Sequence, residues 1–107
     1  MEFQDMIRRA MTVRELYKQK ESQLSGSPWT SEDIALGFVG DVGDLAKLVM
    51  AENGKRRIEN SNEKLAHELS DCLWSVIILA EMHHINLEQA FVETMNKLEK
   101  HLLEMQE

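Results

Sequence analysis

The sequence predicts an all-α fold, a four-helix bundle of antiparallel helices, on three observations. Leu, Met, Ala, Glu and Lys are plentiful, while proline occurs once and glycine five times, too few chain breakers for a many-stranded β fold. Apolar residues recur at helical spacing. The segments between the helical stretches are short, which sets successive helices antiparallel. The chain has 107 residues, 43% of them hydrophobic and 29% charged, which suffices for one core but not two. One domain over residues 1–107 is therefore expected.

The first helix is expected from about Phe3 to Leu24, where Met6, Ile7, Ala10, Val13, Leu16 and Tyr17 repeat at helical spacing. The turn cluster Ser25-Gly26-Ser27-Pro28 ends it. Thr30-Ser31-Glu32-Asp33 fits a capping box opening a second helix to about Asn53, with Gly54 as its C-terminal cap. Lys55-Arg56-Arg57 begins a short loop whose basic residues are either solvated or turned toward phosphate oxygens, the former being commoner. Asn60-Ser61-Asn62-Glu63 can cap a third helix reaching His83 or His84. Asn86 with Gln89 caps a fourth, running to near the C-terminus.

Charge and cysteine content narrow the function. A formal net charge of −7 argues against a nucleic-acid polymer or an anionic membrane as main partner. It still admits a nucleotide accompanied by Mg²⁺. Cys72 is alone, so no intrachain disulfide is possible, and a reducing cytoplasm is the expected location. Met1-Glu2-Phe3-Gln4-Asp5 lacks a basic region followed by an apolar run, so no signal peptide is expected. The apolar-rich stretch from Leu73 to Ala80 is far short of a membrane span.

Four acidic residues stand where the second and third helices should be apolar. Ile34, Leu45 and Leu48 fall within about 40° of Asp41 around its helix, and Asp44 about 60° away. Glu68 shares a face with Leu65, Cys72 and Leu79, and Asp71 again lies about 60° off. Each pair is spaced i, i+3, so its carboxylates emerge side by side. Unpaired buried carboxylates cost several kcal/mol each, a large share of the ~5–15 kcal/mol that holds a domain folded. Antiparallel packing sets the pairs across one seam, where Mg²⁺ would relieve their repulsion and leave room for a polyphosphate. Gly37, Gly40 and Gly43 on the second helix point to a tight helix crossing, or to a ligand close to the backbone.

Val39-Gly40-Asp41-Val42-Gly43-Asp44-Leu45-Ala46, followed by Glu68-Leu69-Ser70-Asp71, resembles the two-part signature of the MazG-like all-α nucleotide pyrophosphohydrolases. That signature is Glu-x-x-Glu on one helix and Glu-x-x-Asp on the next; Gly43 and Leu45 match its framing positions. Ile85-Asn86-Leu87-Glu88-Gln89-Ala90 resembles the start of the family's next helix, and Gly40 is similar to the dCTP-pyrophosphatase-like branch. The resemblance covers about residues 29 to 100. It implies a helical bundle completed as a homodimer or homotetramer. It also implies hydrolysis of a nucleoside triphosphate to the monophosphate and pyrophosphate, as house-cleaning of the nucleotide pool. Asp41, Asp44, Glu68 and Asp71 inherit the Mg²⁺-ligand positions, with Asp41 and Glu68 as candidate catalytic residues and Asp41 the preferred proton acceptor. Trp29 falls where the family often has a tryptophan near the base pocket, and Lys97 loosely echoes a phosphate-contacting position.

The chain departs from the pattern where Asp41 and Asp44 replace Glu, shortening each side chain by roughly 1.5 Å. Closer backbones or a bridging water would compensate. The alternative is a catalytically weakened member that binds nucleotide or metal, or serves as a helical interaction module. A di-iron carboxylate bundle ranks last, because neither acidic pair carries a histidine at the needed offset. Trp74 angles away from the acidic face and is expected in the core or a subunit contact; Cys72 is expected to pack as a small apolar residue. His67, His83, His84 and His101 show no ligand spacing with the acidic pairs.

Overall fold

A computed structural model describes residues 1–105, the side chain of Ser25 excepted; Gln106 and Glu107, the end of the expected domain, lie outside the described residues. The described residues form four helices: α1 (Phe3–Ser25), α2 (Ser31–Glu52), α3 (Ser61–Met82) and α4 (Leu87–Glu104). The all-α expectation holds, and each boundary has a local cause.

Gly26 ends α1 in the left-handed region at φ 84°, where its N–H donates to the Ser22 carbonyl. Thr30 opens α2 as expected: its hydroxyl accepts from the Asp33 N–H at 3.2 Å, and the Asp33 carboxylate accepts from the Thr30 N–H at 2.9 Å. At the other end Gly54, at φ 74°, closes a Schellman turn in which the Lys55 N–H reaches the Met50 carbonyl at 2.9 Å. Asn60 caps α3 differently from expectation. It holds a left-handed backbone at φ 54° and makes no side-chain cap bond, while Ser61 Oγ donates to Glu52 Oε1 across the connection at 2.7 Å. α3 stops in a second Schellman turn, with His84 at φ 57° and the Ile85 N–H on the Ala80 carbonyl at 2.8 Å. Asn86 caps α4 by accepting from the Gln89 N–H at 3.1 Å.

Helices α2 and α3 run antiparallel and pack closely: Ser61 meets Glu52 at one end, and Ile34 meets Ile77 and Ile78 at the other. α1 lies against α3 through Ile7 and Ala10, which complete that buried cluster. Burying each large aliphatic side chain there contributes about 1.5–3 kcal/mol. Trp74 joins the margin of the core, its Nε1–H on the Ala10 carbonyl at 3.2 Å and its ring edge-on to Tyr17 at 5.6 Å.

α4 stands apart. No residue of it is buried, and its apolar side chains Phe91 (61% exposed), Met95, Leu98, Leu102 and Met105 follow a 4-3-4-3 spacing along one face. The radius of gyration is 17.2 Å, against about 13 Å for a compact domain of this size. The glycines do not mark a tight crossing within the chain. A Cβ at Gly40 or Gly43 would meet nothing within 4 Å, and one at Gly37 would meet only the Trp29 ring, at 3.8 Å. No described helix is long and apolar enough to cross a membrane.

Candidate metal centre and adjoining cavity

The antiparallel α2–α3 pair carries the acidic residues to a common point. Asp41 and Asp44 from α2 and Glu68 from α3 each present a carboxylate oxygen, and these oxygens lie within 4.8 Å of one another. Glu68 Oε2 is inaccessible to solvent and has no hydrogen-bond partner. Burial holds the Glu68 carboxyl above its ordinary 4.5, reinforced by Asp41, Asp71 and Asp44 and opposed by His67. An orphaned, desolvated carboxylate oxygen facing two further carboxylates is a donor set for a hard cation. Oxygens on opposite sides of a Mg²⁺ ion lie about 4.2 Å apart, so the three residues fit one with small side-chain movements.

Asp71 is placed differently. It lies outside the three-residue group, and its Oδ2 stands 3.2 Å from His67 Nε2. The pair is one helical turn apart, so the i, i+4 geometry that ties His67 to Asp71 competes with any pull toward the cluster. Asp44 is the most open of the acids: 59% of its side chain is exposed, and Lys47 Nζ stands 4.0 Å from it. The expectation of four buried carboxylates is therefore corrected. Asp41, Glu68 and Asp71 are half-buried and Asp44 is exposed; Asp41 and Asp71 border a cavity whose opposite wall is α1. Cys72 is buried beside the cluster as a small apolar residue, and its thiol is pushed up by burial, then by Asp41, Glu68 and Asp71.

The cavity has a volume of about 720 Å³, within the range of small-molecule sites. Asp41 and Asp71 form its acidic end, and the rings of Tyr17, Trp29, Phe38 and Trp74 line it. Trp29 is therefore one of the cavity's walls. Trp74, for which a core or subunit contact was expected, serves both core and cavity. Lys97 is exposed on α4 and does not line the cavity. The basic loop Lys55, Arg56 and Arg57 is exposed as well.

Two charged residues of the cavity wall went unnoticed in the sequence. Arg14 is only 2% exposed and pairs with Glu21, Nη1 lying 3.0 Å from Oε1 and 3.3 Å from Oε2. The same two side chains grip the backbone of Trp29: Arg14 Nη2 donates to its carbonyl at 2.5 Å, and its N–H donates to Glu21 Oε1 at 2.7 Å. The signal was legible. Ile7, Ala10, Arg14, Tyr17 and Glu21 follow one helical stripe, so Arg14 and Glu21 occupy apolar positions seven residues apart.

The family model of the MazG nucleotide pyrophosphohydrolase domain matches residues 30–102. The chain belongs to that family. A MazG domain brings a nucleotide pyrophosphohydrolase type of function, and such domains are typically metal-dependent. The matched span holds both acidic pairs and Lys97, whereas Arg14, Tyr17, Glu21 and Trp29 precede it. No curated protein and no solved structure matches the chain significantly.

Proposed function

We propose that this MazG domain is a cytoplasmic, Mg²⁺-dependent pyrophosphohydrolase that converts a nucleoside triphosphate to the monophosphate and pyrophosphate, clearing surplus or non-standard deoxynucleotides. One observation carries the reading: the oxygens of Asp41, Asp44 and Glu68 converge, one of Glu68's has no partner among the described residues, and Asp41 also borders the aromatic cavity. Asp41, Asp44, Glu68 and Asp71 would hold the metal, Asp71 after giving up His67. A divalent cation there would supply charge neutralisation for the polyphosphate and acidify a water. Asp41, which belongs to both the cluster and the cavity, would accept the proton of the attacking water, and Glu68 would complete the catalytic pair. Trp29 offers its ring to the base. Lys97 would contact phosphate only if another copy of the chain brought it there. The exposed stripe of α4 supports such an assembly, a homodimer or homotetramer.

Incubation of the purified protein with each dNTP and Mg²⁺, with products separated by anion exchange, tests this. Pyrophosphate should be released from at least one dNTP and be lost in Glu68→Ala and Asp71→Ala. Full activity in both variants would refute the site. The short Asp41 and Asp44 side chains and the openness of Asp44 favour a second reading, a domain that binds nucleotide without turnover. Calorimetric binding without product across the dNTP panel would select it.

A further inference from the structure

The Arg14–Glu21 pair has no evident task in stability. Replacing a buried ion pair by apolar side chains of similar volume is often neutral or stabilising, so such a pair is poor evidence of a stability role. Nor does α2 need it to begin, since Thr30 and Asp33 cap the helix and Ile34 anchors it in the core. What the pair does is hold both polar groups of one peptide residue. The Trp29 carbonyl is bound by Arg14 and its N–H by Glu21, while Arg14 and Glu21 bind each other, closing a ring of hydrogen bonds. With the backbone held on both sides, the root of the indole is fixed and only its two side-chain torsions remain to be ordered. Its edge rests over Gly37, one turn before Asp41, and 49% of the residue remains exposed.

We infer that Arg14 and Glu21 are positioning residues that fix Trp29 as the wall of the cavity, and so set its affinity for a flat heterocycle. This rests on the proposed nucleotide reading for the identity of the heterocycle. A ring stacked on an indole whose backbone is already fixed forfeits less freedom on binding than one that must first order the whole segment. The clamp therefore acts on base recognition and leaves the polyphosphate end untouched, since the acidic cluster is supplied by α2 and α3. It shares no residue with the metal-ligand positions.

The test uses Glu21→Gln, which weakens the ring, and the double variant Arg14→Met with Glu21→Leu, which abolishes it without leaving a lone buried charge. Protein labelled with 5-fluorotryptophan gives separate ¹⁹F resonances for Trp29 and Trp74, assigned through Trp29→Phe. In the double variant the Trp29 resonance should move toward the free-peptide position while Trp74 stays. KM for the dNTP substrate should rise by about tenfold, a fold-change that a lost ordering contact can produce, with kcat within about twofold. Inhibition by inorganic tripolyphosphate should be unchanged, and Glu21→Gln should fall between wild type and double variant. An unmoved Trp29 resonance, or equal losses in KM, kcat and tripolyphosphate binding, would overturn the inference while leaving the enzyme reading intact. If wild type turns over no dNTP, the enzyme reading fails instead. The clamp is then judged by deoxynucleosides without metal: a shift of Trp29 in wild type but not in the double variant upholds it, and no difference between them overturns it.

Discussion

Glu68 concentrates the electrostatics of the molecule in one carboxyl group. Its carboxyl is held above 4.5 chiefly by burial, so in the metal-free protein the folded state keeps a proton that the unfolded state has released. The stabilising contribution is complete below 4.5 and disappears as pH rises through the folded value. Metal-free thermal melts should therefore lose stability on raising the pH from 4.5, and Glu68→Gln should flatten that decline. A divalent cation competes with the same proton. Adding Mg²⁺ at neutral pH should raise the melting temperature, by about 2.7 kcal/mol of stability at a hundredfold excess over Kd, and Asp41→Asn should abolish the gain. The acids were legible in the sequence because each interrupts an apolar face, and Arg14 and Glu21 interrupt α1 by the same rule. The openness of Asp44 was not legible, since it depends on which surfaces the helices bring over α2, which no local pattern encodes.

At the level of the elements, turn chemistry carried most of the readable information. Thr30 with Asp33, Asn86 with Gln89, and Gly54 behave as their sequence context implied. Asn60 did not, because asparagine serves equally as a hydrogen-bonding cap and as a residue tolerant of left-handed backbone, and here the second property is used. His84 occupies the left-handed position of the turn closing α3 without the freedom of glycine. His84→Gly should stabilise the fold by about 1 kcal/mol, read from the urea midpoint at constant slope. Thr30→Ala should cost about 1 kcal/mol by the same measurement.

The whole molecule departs most from a compact bundle at α4. Its helix was legible from the Asn86 cap and apolar spacing, but not what it packs against: an amphipathic helix announces a buried face without naming the surface that buries it. Phe91, Met95, Leu98, Leu102 and Met105 form a seam with the spacing of a coiled coil, exposed along its length. If copies of the chain cover it, Leu98→Glu should shift sedimentation toward the monomer and leave helical content near wild type. Unchanged sedimentation of an assembled wild type would exclude that face as the contact.

The acidic residues are borne by the adjoining helices α2 and α3, and of the four cavity rings Phe38 and Trp74 lie on those same helices, Trp29 just before α2 and Tyr17 on α1. Contacts close in sequence form early in folding, because little loop entropy opposes them. An ion captured by that hairpin would speed the refolding limb of a chevron more than it slows the unfolding limb, and the same hairpin would bring Phe38 and Trp74 with it.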